Sequence, residues 1–390
     1  MNRLNRTRTL TARPVRRLAA GLGTMAMALG FAALGIAGTG PADAATAPAS
    51  AITIHPIPLN KANFSGSAGF DSRAPAWYKD SAGVIHLQGA VTQTSTAGST
   101  PNLVGTLPKG ARPAANVFTI VHTFNGTYAD LSIQTNGQIG LINPRPPAVQ
   151  DYSFVSLESI TYRPSLAGTA FPIGQDWSAS PTFGARTLTF YKDSSGVFHL
   201  QGSVHQTSTS GSTPNLIGTL PPAARPTANV YFIVHTFNGT YADLSIDPSG
   251  NIGIINPRPP AVQDYSFVSL EGISYRLTPA ADVLTVGPDW AQFAGFGARV
   301  PAAFKDKSGI VHLEGAAMQT STGGSTPDLI ATLDPATRPS HTVYTVVHTF
   351  NGTYADLAIQ PNGQISVISP RQPAVQDYSF VSLEGITYHR

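Results

Sequence analysis

The 390-residue chain contains no cysteine. Disulfides, thiol nucleophiles and cysteine-ligated metals are therefore closed to it, and each folded unit must be held by a buried core. Charge is scarce as well, with Asp, Glu, Lys and Arg together making up 12% of the residues. What excess of base exists sits at one end. Arginines 3, 6, 8, 13, 16 and 17 precede the first acid, Asp43, and without residues 1–44 the net charge falls from +3 to −2. The remainder lacks the basic stripe that nucleic-acid binding requires, which excludes nucleic acid as a partner. Also missing are H-x-H and H-E-x-x-H metal spacings, an Asp-rich calcium loop and a G-x-S-x-G nucleophile elbow. Beyond residue 44 no stretch carries a helical period of apolar residues.

Residues 1–44 read as an export signal. The arginines are followed by a Gly/Ala/Leu-rich stretch from Leu18 to Gly40 and by Ala42-Asp43-Ala44, which has the small-x-small form of a signal peptidase site. Glycines at 21, 23, 30, 35, 38 and 40 and the cleavage site argue against a membrane anchor. The expectation is a secreted protein cleaved near Ala44, with no anchor in the mature chain. Arg16-Arg17 suits twin-arginine export, and general secretion stays open beside it.

The stretch VHTFNGTYADL occurs at 121–131, 234–244 and 347–357, each start 113 residues after the last. The same shift superposes Arg73, Arg186 and Arg299, the Lys-Asp pairs at 79, 192 and 305, and Tyr162, Tyr275 and Tyr388 without a gap. A period this long exceeds that of solenoid repeats or propeller blades and matches an independent domain. The organisation expected is a signal at 1–44 and repeats at 45–163, 164–276 and 277–390.

Within the second repeat, RTLTFYKD, SSG and VFHLQGSVHQT read as a hairpin, and VYFIVHTF, Asn238-Gly239 and TYADLSI as another with a two-residue type I′ turn. Leu244 and Ile246 fall on one face of the returning strand, Asp243 and Ser245 on the other. About eight short strands and many Gly/Pro turns indicate an all-β fold: three tandem antiparallel β-sandwich domains of jelly-roll type. The strand before each Asn-Gly turn is apolar on both faces. One face fills the sandwich; the second, carrying Phe118, Ile120 and Phe124, Tyr231, Ile233 and Phe237, or Tyr344, Val346 and Phe350, needs another cover. Closure of the three repeats around a pseudo-threefold axis would supply it, making one chain act as an intramolecular pseudo-trimer. Beads on a string is the alternative.

GVIHLQG, GTLPKGARP, TNGQIGL and VSLESITY of the first repeat, with counterparts at 196–202, 218–226, 249–254 and 268–275, resemble the C-terminal head domains of tailed-phage tail fibres and related receptor-binding proteins. The resemblance covers about 85 residues of each repeat. It implies a β-sandwich that associates around a threefold axis and adheres to cell-surface carbohydrate. This chain differs in carrying three heads in series behind an export signal, without a fibrous stalk.

For chemistry, His86, His199 and His312 in the HLQG/HLEG strands and His122, His235 and His348 before the Asn-Gly turns read as structural, hydrogen-bonded residues. A sharper alternative brings three copies together on the axis as a metal or anion site. Asp130, Asp151 and Glu158 and their equivalents are the carboxylates that a glycoside hydrolase would need, but Glu158, Glu271 and Glu384 alternate along a strand and read as an exposed face or core rim. No catalytic residue, metal or cofactor is assigned, and no enzyme is expected. The binding candidate is the proline-stiffened loop NPRPPAVQDYSF and its copies: Asn143, Arg145, Gln150, Asp151 and Tyr152; Asn256, Arg258, Gln263, Asp264 and Tyr265; Arg371, Gln376, Asp377 and Tyr378. Its planar amide, guanidinium and aromatic groups suit sugar hydroxyls and ring faces. A structural knot, with Arg145 paired to Asp151 and Tyr152 plugging the sandwich end, is the other reading. The function expected is a secreted, adhesin-like protein binding carbohydrate or a cell surface through three repeated sites. A structural or assembly protein of the cell exterior or of a phage-derived particle is the alternative, and a polysaccharide-active enzyme the third.

Overall fold

Alternating β-branched and aromatic runs become strands throughout. The computed structural model describes residues 52–142, 152–255, 265–368 and 378–390, all within one compact unit, Pro48–Arg390. Residues 1–51, which include the expected export signal, and most of the proline-rich loops lie outside these residues. Among the described residues no helix is long and apolar enough to cross a membrane.

The second repeat shows the plan. Thr169–Ala170, Thr189–Lys192, Phe198–Gln201 and Ser274–Tyr275 form a four-stranded antiparallel sheet in that order. Trp177–Ala179, Ser203–Gln206, Val268–Ser269, Val230–Thr236, Thr240–Ile246, Asn251–Ile255 and Leu216–Thr219 form a seven-stranded one. The two sheets enclose a core in which Leu188, Phe198 and Leu200 meet Val204, Ile217, Val230, Leu244, Ile246 and Ile252. Repeats 1 and 3 have matching cores. In the third repeat Thr285–Val286 pairs with the large sheet, giving eight strands and three.

Eleven strands replace the roughly eight expected because two of the runs each feed both sheets and because Thr169–Ala170 and Trp177–Ala179 form short strands ahead of the first expected hairpin. VFHLQGSVHQT breaks at Gly202, whose φ of 104° no L-residue adopts comfortably. A Cβ there would lie 2.4 Å from the Thr187 carbonyl oxygen. Glu271 fixes this corner, accepting the Gly202 N–H at 2.8 Å and pairing with Arg186 at 2.9 Å. Glu158 with Arg73 and Glu384 with Arg299 repeat the device at 3.5 and 3.0 Å. Of the two readings of these glutamates, the exposed face is corrected and the hydrogen-bonding role holds: each is at most 8% exposed, because the sheet-switching corner needs an acceptor for its glycine N–H and an arginine to neutralise it.

The Asn-Gly turn is also corrected. Thr236 pairs directly with Thr240, so the loop holds three residues, Phe237–Gly239, in one 3-10 turn with Gly239 at φ 70°. The Thr236 and Thr240 hydroxyls meet at 2.5 Å across the loop neck, the Phe237 carbonyl accepts the Thr240 hydroxyl, and both other copies are built alike.

Candidate functional site

The register of Val230–Thr236 against Thr240–Ile246 places Tyr231, Ile233 and His235 beside Tyr241 and Asp243 on the face away from the sandwich core. That face is covered by its counterparts in the other repeats. Tyr128, Tyr241 and Tyr354 meet edge to face, with centroids 5.0 to 5.3 Å apart. Each hydroxyl donates to a turn carbonyl of the following repeat: Tyr128 to Gly239, Tyr241 to Gly352 and Tyr354 to Gly126, at 3.1, 3.1 and 3.2 Å. Ile120, Ile233 and Val346 pack against the tyrosines. The three-step cycle closes the ring, as the repeat spacing and the doubly apolar strand predict. Small-angle scattering on the chain from Ala45 should give a radius of gyration near ~20 Å, whereas three domains in line exceed roughly 28 Å.

Farther from the tyrosines each histidine crosses a boundary. His122 Nδ1 lies 2.6 Å from Asp356 Oδ1, His235 2.6 Å from Asp130, and His348 2.5 Å from Asp243. The aspartates are fully buried, and burial pushes their carboxyl groups above the ordinary range against the pull of the histidines. An aromatic ring from the neighbouring repeat stacks on each histidine: Tyr344 on His122, Phe118 on His235 and Tyr231 on His348, at 5.6 to 5.8 Å. Each of the three histidines is thus engaged by an aspartate of another repeat. No group of three metal-ligating side chains occurs among the described residues. His86, His199 and His312 are structural too, with Nε2 3.0, 2.9 and 3.1 Å from Asp80, Asp193 and Asp306.

On the axis a funnel of about 80 Å³ is lined by Glu158, Glu271 and Glu384 and by the residues following them. Its symmetry is broken. Phe232, where the other repeats have Thr119 and Thr345, approaches Gly385 so closely that a Cβ there would lie 3.2 Å from its ring. Ser159 stands where the others have Gly272 and Gly385, and its hydroxyl donates to the Thr387 carbonyl at 3.1 Å.

The outer edge of each boundary carries a feature no sequence pattern announced. Phe70, Phe183 and Phe296 have φ of 57, 57 and 53°, a left-handed conformation that is costly for an aromatic residue. They are 55 to 57% exposed. The preceding repeat clasps each turn: Asn116 and Asn229 donate side-chain N–H to the carbonyls of Phe183 and Phe296 at 2.6 and 2.5 Å, and the Tyr344 hydroxyl donates to that of Phe70 at 2.8 Å. Each ring rests on phenylalanines of its own repeat, Phe183 on Phe237 and Phe267 at 5.7 and 5.5 Å, Phe70 on Phe124 and Phe154, and Phe296 on Phe293, Phe350 and Phe380. Between repeats 1 and 2 this leaves a cleft of about 170 Å³ walled by Phe118, Phe183, Phe237 and Phe267, with His235 and Ile142 completing it.

Of the loop candidates, Asn143, Arg145, Gln150, Asp151, Asn256, Arg258, Gln263, Asp264, Arg371, Gln376 and Asp377 lie outside the described residues. Tyr152, Tyr265 and Tyr378 pack against the three sandwich cores, Tyr265 5.9 Å from Trp177 and Tyr378 6.1 Å from Trp290. These three tyrosines therefore serve the fold. Ile142, which lines the cleft between repeats 1 and 2, directly precedes the first loop, and Phe267, in the same cleft, closes the stretch NPRPPAVQDYSF of the second.

No protein-family model and no curated protein matches the sequence. Among solved structures, the lectin BP39L from Burkholderia pseudomallei aligns with 78% of this chain and 82% of its own at 15% identity, with a TM-score of 0.13. A likeness that slight carries no argument about fold or ligand.

Proposed function

We propose that the protein is a secreted, non-enzymatic, adhesin-like binder that presents three equivalent sites around its pseudo-threefold axis to carbohydrate or a cell surface. The observation that carries this reading is the triplet Phe70, Phe183 and Phe296. Each is a large apolar side chain held in the open by a backbone conformation that costs energy, and such strain clusters at ligand sites. Aromatic rings offer flat apolar faces to sugar rings, and clasps from the neighbouring repeat order them before a ligand arrives. The resemblance to tail-fibre heads supports the same ligand class. Three weak sites on one rigid body gain avidity when a surface presents several ligands.

The test is a glycan array with protein recovered from culture medium, where mass spectrometry should find a chain beginning at Ala45. F70A/F183A/F296A should keep its circular dichroism and lose at least tenfold in bound signal. R145A/R258A/R371A separates loop from cleft: loss in that variant alone transfers the site to the loops. No bound glycan, or equal binding by all three proteins, sinks the carbohydrate reading. The three exposed phenylalanines are also what an assembly interface would offer, and concentration-dependent growth in light scattering, abolished in the triple phenylalanine variant, would favour that second reading.

A further inference from the structure

A larger pocket lies at the boundary between repeats 3 and 1, where no connecting chain joins the repeats. At the other two boundaries Arg163 lies over Tyr191 at 4.7 Å and Arg276 over Phe304 at 4.3 Å, and the corresponding pair here is His389 and Tyr78, with ring centroids 5.5 Å apart. Here Ser81 and Ser308 hydroxyls meet at 2.5 Å, and beside them a pocket of about 490 Å³ opens between Trp77, His55, Lys79 and Lys307. That volume suits a small ligand.

Its chemistry is cationic and aromatic. His55, exposed, stacks on Trp77 with centroids 4.6 Å apart and planes 22° apart. Lys79 and Lys307 are both exposed. The carboxylate at the pocket, Asp80, is already engaged: Oδ1 accepts the N–H groups of Ala82 and Val84, and Oδ2 faces His86. It is the one carboxylate among the described lining residues, against the two lysine ammonium groups.

The pocket's residues also depart from the repeat pattern. At the matching places the other repeats have Phe190 and Ala303 for Trp77 and Ser194 and Ser81 for Lys307, while the residues opposite Phe190 and Ala303, where His55 lies opposite Trp77, are Thr169 and Asp282. The fold thus accepts smaller or uncharged residues at all three places. Trp77 is a poor choice for the core it borders, since its Nε1 is buried without a hydrogen-bond partner among the described residues. Trp177 and Trp290, by contrast, donate to the carbonyls of Pro214 and Pro327 at 2.8 and 2.7 Å. Buried donors left unpaired cost stability.

We infer that this pocket is a further binding site, distinct from the three exposed phenylalanines, for a carboxylate-bearing saccharide of the uronic-acid class. The lysines pair with the carboxylate, and the His55–Trp77 stack packs against the sugar ring. Since the chain carries this site once, it adds selectivity for charge, and it stands or falls independently of the cleft reading.

The experiment titrates oligogalacturonate of four residues, with maltotetraose as neutral control, following tryptophan fluorescence and heat. Expected are saturable binding of the acidic sugar alone, weakening as salt rises, and loss of the fluorescence change in W77F. K307S and H55T install residues the other repeats already use, so folding should survive, and each should weaken binding at least fivefold. F70A/F183A/F296A should bind oligogalacturonate as the unmodified protein does. Absence of binding, equal affinity for maltotetraose, or unchanged affinity in a K307S/H55T double variant would overturn the assignment. Loss of binding in the triple phenylalanine variant would move the acidic sugar to the exposed phenylalanines.

Discussion

Replacing Asp243 by alanine is expected to lower the unfolding free energy by about 3–5 kcal/mol, although the residue lies in no hydrophobic core. Asp243 is fully buried and 2.5 Å from His348 of the next repeat. Removing it leaves a buried imidazole facing an empty space at a domain boundary, which combines a lost partner with a cavity. D130A and D356A act at the other two boundaries and should cost similar amounts. A double variant, D243L/H348F, replaces the polar pair by apolar groups and should recover most of the loss, as exchange of a whole buried pair often does. Urea unfolding at neutral pH is the measurement. A cost for D243A within about 0.5 kcal/mol, the level of an ordinary surface change, would mean that the boundary pairs do not hold the ring.

The second large effect concerns pH and belongs to the third repeat. Arg299 there serves two carboxylates, Glu314 and Glu384, each at 3.0 Å, where Arg73 and Arg186 have one glutamate and a glutamine. Burial, reinforced by the Glu314 charge and opposed by Arg299, pushes the Glu384 carboxyl up to about 7. The sign follows from linkage. A carboxyl with a raised folded pKa contributes stability that is full below its unfolded value, about 4.3, and is lost as pH rises through about 7. Stability attributable to this group should therefore increase by up to about 3 kcal/mol between pH 8 and pH 5. E314Q restores the residue type of the other repeats and removes the like charge. It should raise stability at pH 8 by about 1–2 kcal/mol and leave pH 5 nearly unchanged, flattening the profile. Parallel profiles for the two proteins would refute the shared-guanidinium account. R299M, which strands both carboxylates, should lose about 3–5 kcal/mol at pH 8 and regain part of it on acidification.

These pairings show what sequence reasoning can reach. Strand identity, the opposed faces of Leu244 and Asp243, and the doubly apolar strand are local properties, and the alternation of side chains displays them directly. The partner of His235 is not local. Asp130 lies 105 residues away in another repeat, so no search for carboxylates at ligand spacing finds it. A signal was present: identical His and Asp residues recur on the same face of all three hairpins, beside apolar residues that need cover. What the spacing leaves open is whether each aspartate serves its own repeat or the next. The left-handed phenylalanines escaped for another reason. Nothing in the letters GFD, TFG or GFG separates a strained aromatic turn from a relaxed one, and the clasp from the preceding repeat exists only once the ring is closed. The Asn-Gly dipeptide led to a two-residue turn because that is its commonest local use, while the flanking threonine hydroxyls close the neck one residue wider.

The broken symmetry of the axial funnel has a genetic consequence. In an assembly of three separate identical subunits, every substitution appears three times, so a bulky ring beside the axis must fit against two copies of itself. Within one reading frame each copy mutates alone. Phe232 can fill space beside Gly385 while Thr119 and Thr345 stay small, and Ser159 can reach Thr387 without two more serines doing likewise. Tandem fusion thereby gives selection access to single-copy innovations, such as Trp77, that a threefold-symmetric ancestor could have tried only in triplicate.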